Sequence, residues 1–245
     1  MLALICAVLT AHLQDPEYLY KADGVKSAIL ESDANVEVSQ TGDAWYFKPK
    51  KGSQPITYVF CPGGLVEPTA YAPLVRSVAE NGYPVFLIKL GPKYDSLEAQ
   101  KKDGVAKIRA IVIADKAKSK FVIGGHSLGG AITCLYAQEN PTLLSGLLIA
   151  GSTHPRDFDL SSLKVPITKV FATNDGIARQ EQMEKNKGKL PTQTKWVAIQ
   201  GGNHAQFGWY SGQQGDNAAT ISREKQQEQF LAATLELLQA VAKTK

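Results

Sequence analysis

Ser127, Asp175 and His204 are the residues whose types and order could perform covalent chemistry on a carbonyl group. A serine hydroxyl is a weak nucleophile at neutral pH. It needs a base to take its proton, and a histidine oriented by a carboxylate supplies one. Ser127 lies in Gly125-His126-Ser127-Leu128-Gly129, a match to G-x-S-x-G. Phe121-Val122-Ile123 leads in as a buried strand, and Ala131 to Ala137 leads out with helical apolar spacing. The glycines are steric necessities, because the serine must sit on a strained positive-φ turn where side chains at 125 or 129 would strike the neighbouring strand or helix. Asp175 ends an apolar strand in Asn174-Asp175-Gly176, and His204 follows the next strand in Gly201-Gly202-Asn203-His204. Five residues alone are a weak signal; the strand, the helix and the Ser…Asp…His order strengthen it.

Each neighbouring candidate has a plainer reading. Asp175 could simply cap the helix that follows it. Asp157 and Asp159 are rival acids in a loop after the preceding strand, but no glycine turn accompanies them. His154, at a strand end, is expected to line the pocket; as the base it would break the chain order. His126 is the variable residue of the turn and is expected to pack or to touch substrate. Cys61 and Cys134 read as buried small residues. The stretch from Ala205 to Asp216 is long for a connection and carries Phe207, Trp209 and Tyr210. Either these rings pin the loop to the domain, or at least one of Phe207 and Trp209 forms an apolar wall over Ser127.

The elements that must position these residues alternate. Val36 to Val38 and Trp45 to Phe47 predict a hairpin around Thr41-Gly42-Asp43. Strands follow at 56–60, 84–90, 121–123, 143–150, 166–172 and 196–199. Helices are expected near 71–81, 97–114, 131–137 and 179–187, with a last one from an N-cap at Ser222. This predicts an α/β fold: a single doubly wound, mainly parallel sheet of about eight strands with helices on both faces. In such sheets ligands bind at the carboxyl ends of the strands, where Gly63-Gly64-Leu65, Ser127, His154, Asp175 and His204 all fall.

At 245 residues the chain suits one such domain, read as 36–245, behind an apolar or helical segment 1–35. Residues 1–13 resemble a degenerate signal or anchor but lack a basic start and are too short to span a bilayer. The localisation read from this is cytoplasmic, with anchoring or export left open, and any membrane contact would come through this segment alone. A net charge of +4, spread along the chain without a basic run, is no footprint for nucleic acid. Three widely spaced cysteines and four histidines give neither a disulfide framework nor a metal-ligand spacing, and no phosphate-loop motif is present. Neither cofactor nor metal is expected.

Pro62-Gly63-Gly64-Leu65, Gly125-His126-Ser127-Leu128-Gly129, Asn174-Asp175-Gly176 and Gly202-Asn203-His204-Ala205 together resemble the α/β-hydrolase superfamily, over the chain from about Val36 to its end. Within it the chain is similar to the compact, lidless bacterial group related to dienelactone hydrolases and small carboxylesterases. Pro62 stands where many relatives have histidine, and Ser127 where a dienelactone hydrolase has cysteine, which argues against that substrate. The resemblance implies an oxyanion hole made by the backbone N–H of Leu128 and that of Gly64 or Leu65. The expectation is a serine hydrolase cleaving a small carboxylic ester through an acyl-enzyme. A thioesterase or acyltransferase would use the same triad. The reading from another class is a non-catalytic hydrolase-fold binding protein, whose usual mark, a broken triad, is absent here.

Overall fold

The structure is a computed structural model that describes residues 18–92, 94–115 and 119–244. The strands are β1 (Val36–Gln40), β2 (Ala44–Pro49), β3 (Ile56–Cys61), β4 (Val85–Ile88), β5 (Lys120–His126), β6 (Gly146–Ala150), β7 (Ile167–Ala172) and β8 (Lys195–Ile199). They form one eight-stranded sheet in the order β1-β2-β4-β3-β5-β6-β7-β8. β2 runs antiparallel to β1 and β4, and every other pairing is parallel. The central strands β3 and β6 are buried at every position, whereas the edge strands β1 and β8 keep exposed residues. That is the pattern of a sheet covered on both faces.

Side-chain alternation divides the core in two. On one face, Tyr58 and Phe60 of β3 pack with α1 (Ala72–Glu80) and α5 (Arg223–Ala242). On the other, Val59 and Cys61 join α2 (Leu97–Ala114) and α3 (Leu128–Glu139). A short α4 (Gln180–Lys185) follows β7. Ser96 caps α2 by accepting from Ala99 N at 3.1 Å, and Ser222 caps α5 by accepting from Lys225 N at 3.2 Å. Both are orphan N–H groups of a first turn, satisfied locally.

Two elements begin later than periodicity suggests. Tyr71 belongs to a 3₁₀ turn (Pro68–Tyr71) that precedes α1, with a proline near the start of each. β6 starts at Gly146, because Leu143 N bonds back to Asn140 O in a turn and Ser145 N reaches Phe121 O.

The expectations placed on residues 1–17 lie outside the described residues. Residues 18–35 form a strap with one 3₁₀ turn (Ser27–Leu30). Tyr20 bridges Val66 and Ala22 bridges Tyr210. The buried Arg76 guanidinium donates to the carbonyls of Ile29 and Glu31 and pairs with Asp33 at 2.7 Å. Among the described residues no helix is long and apolar enough to cross a membrane.

Candidate active site

The turn between β5 and α3 is built by exclusion. Ser127 has φ 55° and ψ −115°, a conformation most side chains avoid. A Cβ at Gly125 would run into the Gly129 backbone, and one at Gly129 would strike the carbonyls of Cys61 and Pro62 at the end of β3. The turn is therefore pressed against the β3 loop, and Ser127 N continues the parallel ladder by donating to Ala150 O at 2.9 Å. Leu128 N is the first N–H of α3, a position with no intrahelical acceptor.

Asp175 and His204 come together from the ends of β7 and β8. Asp175 Oδ2 accepts from His204 Nδ1 at 2.8 Å, with both side chains fully buried. Asp175 Oδ1 accepts from the N–H groups of Ile177 (2.8 Å) and Ala178 (2.6 Å). The capping role weighed against catalysis is not taken up: α4 begins at Gln180 behind Arg179 without a side-chain cap, and the second oxygen of Asp175 closes the turn ahead of it. His204 Nε2 is buried with no hydrogen-bond partner, and the ring lines one cavity with Ser127. No described bond joins that nitrogen to the Ser127 hydroxyl; such contacts are commonly loose before substrate arrives.

Asp216 holds the two loops in register. Its Oδ1 accepts from Gly176 N at 3.1 Å, next to Asp175, and its Oδ2 from Ala205 N at 2.9 Å, next to His204. The long connection after His204 thus returns a carboxylate that ties acid to base. Its length was the visible signal; nothing in the pattern singled out Asp216.

Behind the turn lies a dry wall. His126 is fully buried, its ring 4.4 Å from that of His204 and 5.1 Å from that of Phe207. Tyr71 Oη accepts from Gly63 N at 3.1 Å and lies 2.8 Å from His126 Nδ1. Burial holds the Tyr71 phenol well above its ordinary range, so it keeps its proton and joins His126 Nδ1 as a neutral hydroxyl. Burial first, and then the neighbouring His204, hold His126 well below the usual histidine range. The ring is accordingly neutral, and no second positive charge opposes an imidazolium at His204.

In front of Ser127 opens a cavity of about 410 Å³, within the usual size for a small-molecule site. Its walls include Leu97, Lys101, Thr153, His154, Arg156 and Ile177. His154 Nε2 lies 3.2 Å from Asp157 Oδ2, and burial, with Arg156 next, pushes its pKa down to about 4. Asp157 thus faces His154 and Arg156, while Asp159 accepts from Ser161 N; neither meets His204. The buried Lys169 ammonium donates to the carbonyls of Ser152 and His154, and its pKa is lowered by burial to about 8. It binds the His154 loop to β7.

The remaining expected residues lie elsewhere. Phe207 is fully buried against His126 and Phe230 (centroids 5.2 Å), and His126 stands behind the turn, so neither belongs to the cavity wall. Trp209 lies over Gly24 and stacks on the Arg223 guanidinium at 5.5 Å, also away from the cavity. Phe207 packs on Phe230 of α5 and Trp209 lies between Gly24 and Arg223, so neither ring forms the apolar wall anticipated over Ser127. In the oxyanion loop, Gly63 N is taken by Tyr71. Gly64 lies against Leu128, where a Cβ would come within 3.0 Å of Leu128 Cδ2, and Leu65 has φ 61° with its side chain exposed. Cys61 and Cys134 are buried free thiols; burial raises the pKa of Cys134 to about 12. A larger apolar cavity of about 760 Å³ lies between α2 and strands β2 and β4, away from Ser127, with no histidine or cysteine in its wall.

Comparisons agree with this architecture. Residues 57–228 match the model of an alpha/beta hydrolase family. No curated protein matches the chain in sequence. Among solved structures it is similar to an esterase/lipase from an uncultured bacterium (13% identity, 86% of this chain and 87% of that one, TM-score 0.63). It is similar also to a thermophilic esterase from Thermogutta terrifontis (14%, 86% and 99%, TM-score 0.58). A serine hydrolase without a lid from Xanthomonas campestris is a third (15%, 71% and 88%, TM-score 0.55). Sheet order, strained turn and family match meet in one conclusion: the chain belongs to the alpha/beta hydrolase family.

Proposed function

We propose that the protein is a serine hydrolase that cleaves a small carboxylic ester through an acyl-enzyme on Ser127. The observation that carries this reading is the buried Asp175–His204 pair at 2.8 Å, whose free Nε2 shares a cavity with a serine held on a strained strand-to-helix turn. His204 Nε2 takes the Ser127 proton as Oγ attacks the ester carbonyl, and Asp175 fixes the tautomer and stabilises the imidazolium. The tetrahedral oxyanion is held by the N–H groups of Leu128 and Gly64, the glycine packed beside Leu128. Removing one such donor typically costs about 2.7–4 kcal/mol of transition-state stabilisation. The imidazolium then protonates the leaving alcohol, and His204 next activates the water that releases the acid. The acyl group occupies the 410 Å³ cavity, which suits a short chain.

The test is turnover of short-chain p-nitrophenyl esters by the parent protein and by Ser127→Ala. Loss of turnover at an unchanged melting temperature is expected. Equal turnover by Ser127→Ala rejects the reading.

A further inference from the structure

The cavity in front of Ser127 is asymmetric in charge. Lys101 and Arg156 are both in its wall, and no aspartate or glutamate is, among the described residues. Arg156 is about half exposed and already pairs with Asp157 at 3.2 Å, so it adds little by itself. Lys101 differs. Its side chain is 11% exposed, and its described partner, Glu98 Oε2, is 3.7 Å away, beyond hydrogen-bond reach, on a side chain 60% exposed. An ammonium has three donors, and the Lys101 nitrogen is not sealed from solvent, so those donors face the cavity.

The fold puts it there. Gly104, one turn further along α2, lets the helix close onto α3, since a Cβ at that position would lie 2.8 Å from Ile132 Cδ1. Residues three apart share a helix face, so the contact that seats Gly104 on α3 turns Lys101 toward the same side, at the mouth of the Ser127 turn. Apolar Leu97, Leu128 and Ile177 line the space between.

We propose that Lys101 is a specificity residue that binds a carboxylate on the acyl portion of the substrate, so that the preferred esters are half-esters of short dicarboxylic acids. This rests on the hydrolase reading of the same site and adds its substrate class. The carboxylate supplies the acceptors that Lys101 lacks, and Arg156 reinforces it from the rim. A charge-assisted hydrogen bond in a partly dry site is roughly twice as strong as a neutral one.

The experiment compares monomethyl glutarate with methyl pentanoate, which differ by a carboxylate in place of a methyl group. Binding is measured by calorimetric titration of the Ser127→Ala protein, where no turnover intervenes. Monomethyl glutarate should bind about tenfold more tightly, as expected for one hydrogen bond to a charged group. Lys101→Met in that background should abolish the difference, and Lys101→Arg should keep most of it. Equal binding of the two esters, binding of neither, or a difference that survives Lys101→Met overturns the proposal. Labelling of the parent by a fluorophosphonate separates the two readings. Labelled Ser127 without ester discrimination removes the substrate class alone, and discrimination without labelling removes the hydrolase reading alone.

Discussion

The two sides of Ser127 are built from different materials. The rear is closed: His126, Tyr71 and Phe207 are fully buried, and a single phenol ties the β5 turn to the Gly63 loop. The front is an open cavity with Lys101, His154 and Arg156 in its wall, held by a loop that a buried lysine fastens to β7. At the rear Gly63 N, Tyr71 Oη and His126 Nδ1 are joined in one chain of hydrogen bonds, and of that group only His126 Nε2 is buried without a partner. In the front wall the Lys101 ammonium has no acceptor within hydrogen-bond reach among the described residues. The rear therefore fixes where the nucleophile and base stand, and the front is free to choose what reaches them. Substitutions behind Ser127 should lower kcat, and those in front should change preference among substrates.

The sharpest break in that division comes from the acid. Asp175→Asn should lower kcat by about 10⁴ with KM little changed, since the amide leaves His204 in the wrong tautomer. Steady-state kinetics on one ester decide this, and a pure KM effect would move Asp175 to the substrate side.

Asp216→Ala should come next. Without the carboxylate the Asp175 and His204 loops lose their common acceptor, and kcat should fall about 10–100-fold, because small displacements of catalytic groups are expensive. Asp216→Asn, which keeps an oxygen for one of the two N–H groups, should fall between. A loss of melting temperature with unchanged kcat would make the Asp216 connection merely structural.

The pH dependence of stability tests whether the rear imidazole, His126, is held neutral. The folded state holds His126 well below its ordinary value of 6.5, so below that pH the unfolded chain binds a proton that the folded one refuses. Its contribution is present above pH 6.5 and is lost as pH falls. His154, lowered to about 4, acts in the same direction between pH 6.5 and 4. Melting temperatures measured from pH 7 to pH 4 should therefore decline less steeply in His126→Asn, which can still bond to Tyr71, than in the parent. Identical slopes would mean that His126 is not held neutral by burial.

The smallest effect is expected at Trp209. Trp209→Ala removes a ring stacked on Arg223 and should lower the melting temperature while leaving the profile over ester chain lengths as it is. A changed profile would bring the ring back to the pocket.

These assignments differ in how far residues alone could reveal them. The doubly wound sheet was legible because strands and helices announce themselves by periodicity, and α2 at 97–114 and the cap at Ser222 coincide with the pattern. Ser127, Asp175 and His204 were legible as candidates because each stands at a strand end in a glycine-rich turn, and the structure brings Asp175 onto His204. Tyr71 was hidden, since its hydroxyl looked like one more residue on an apolar helix face. Asp216 and Lys101 were hidden for another reason: their partners lie on other elements, Gly176 and Ala205 for the first and the Ser127 cavity for the second. Phe207 and Trp209 were misleading because an aromatic ring near a catalytic histidine has the same sequence signature whether it faces a pocket or the core.

The central claim is that Ser127 is a nucleophile activated by His204. Intact-mass and peptide analysis after fluorophosphonate treatment tests it directly, in the parent and in His204→Ala. The account predicts one adduct per chain, located on Ser127, formed rapidly in the parent and at least about a hundredfold more slowly without His204. An adduct on any other residue, or labelling of Ser127 at the parent's rate in His204→Ala, would contradict it.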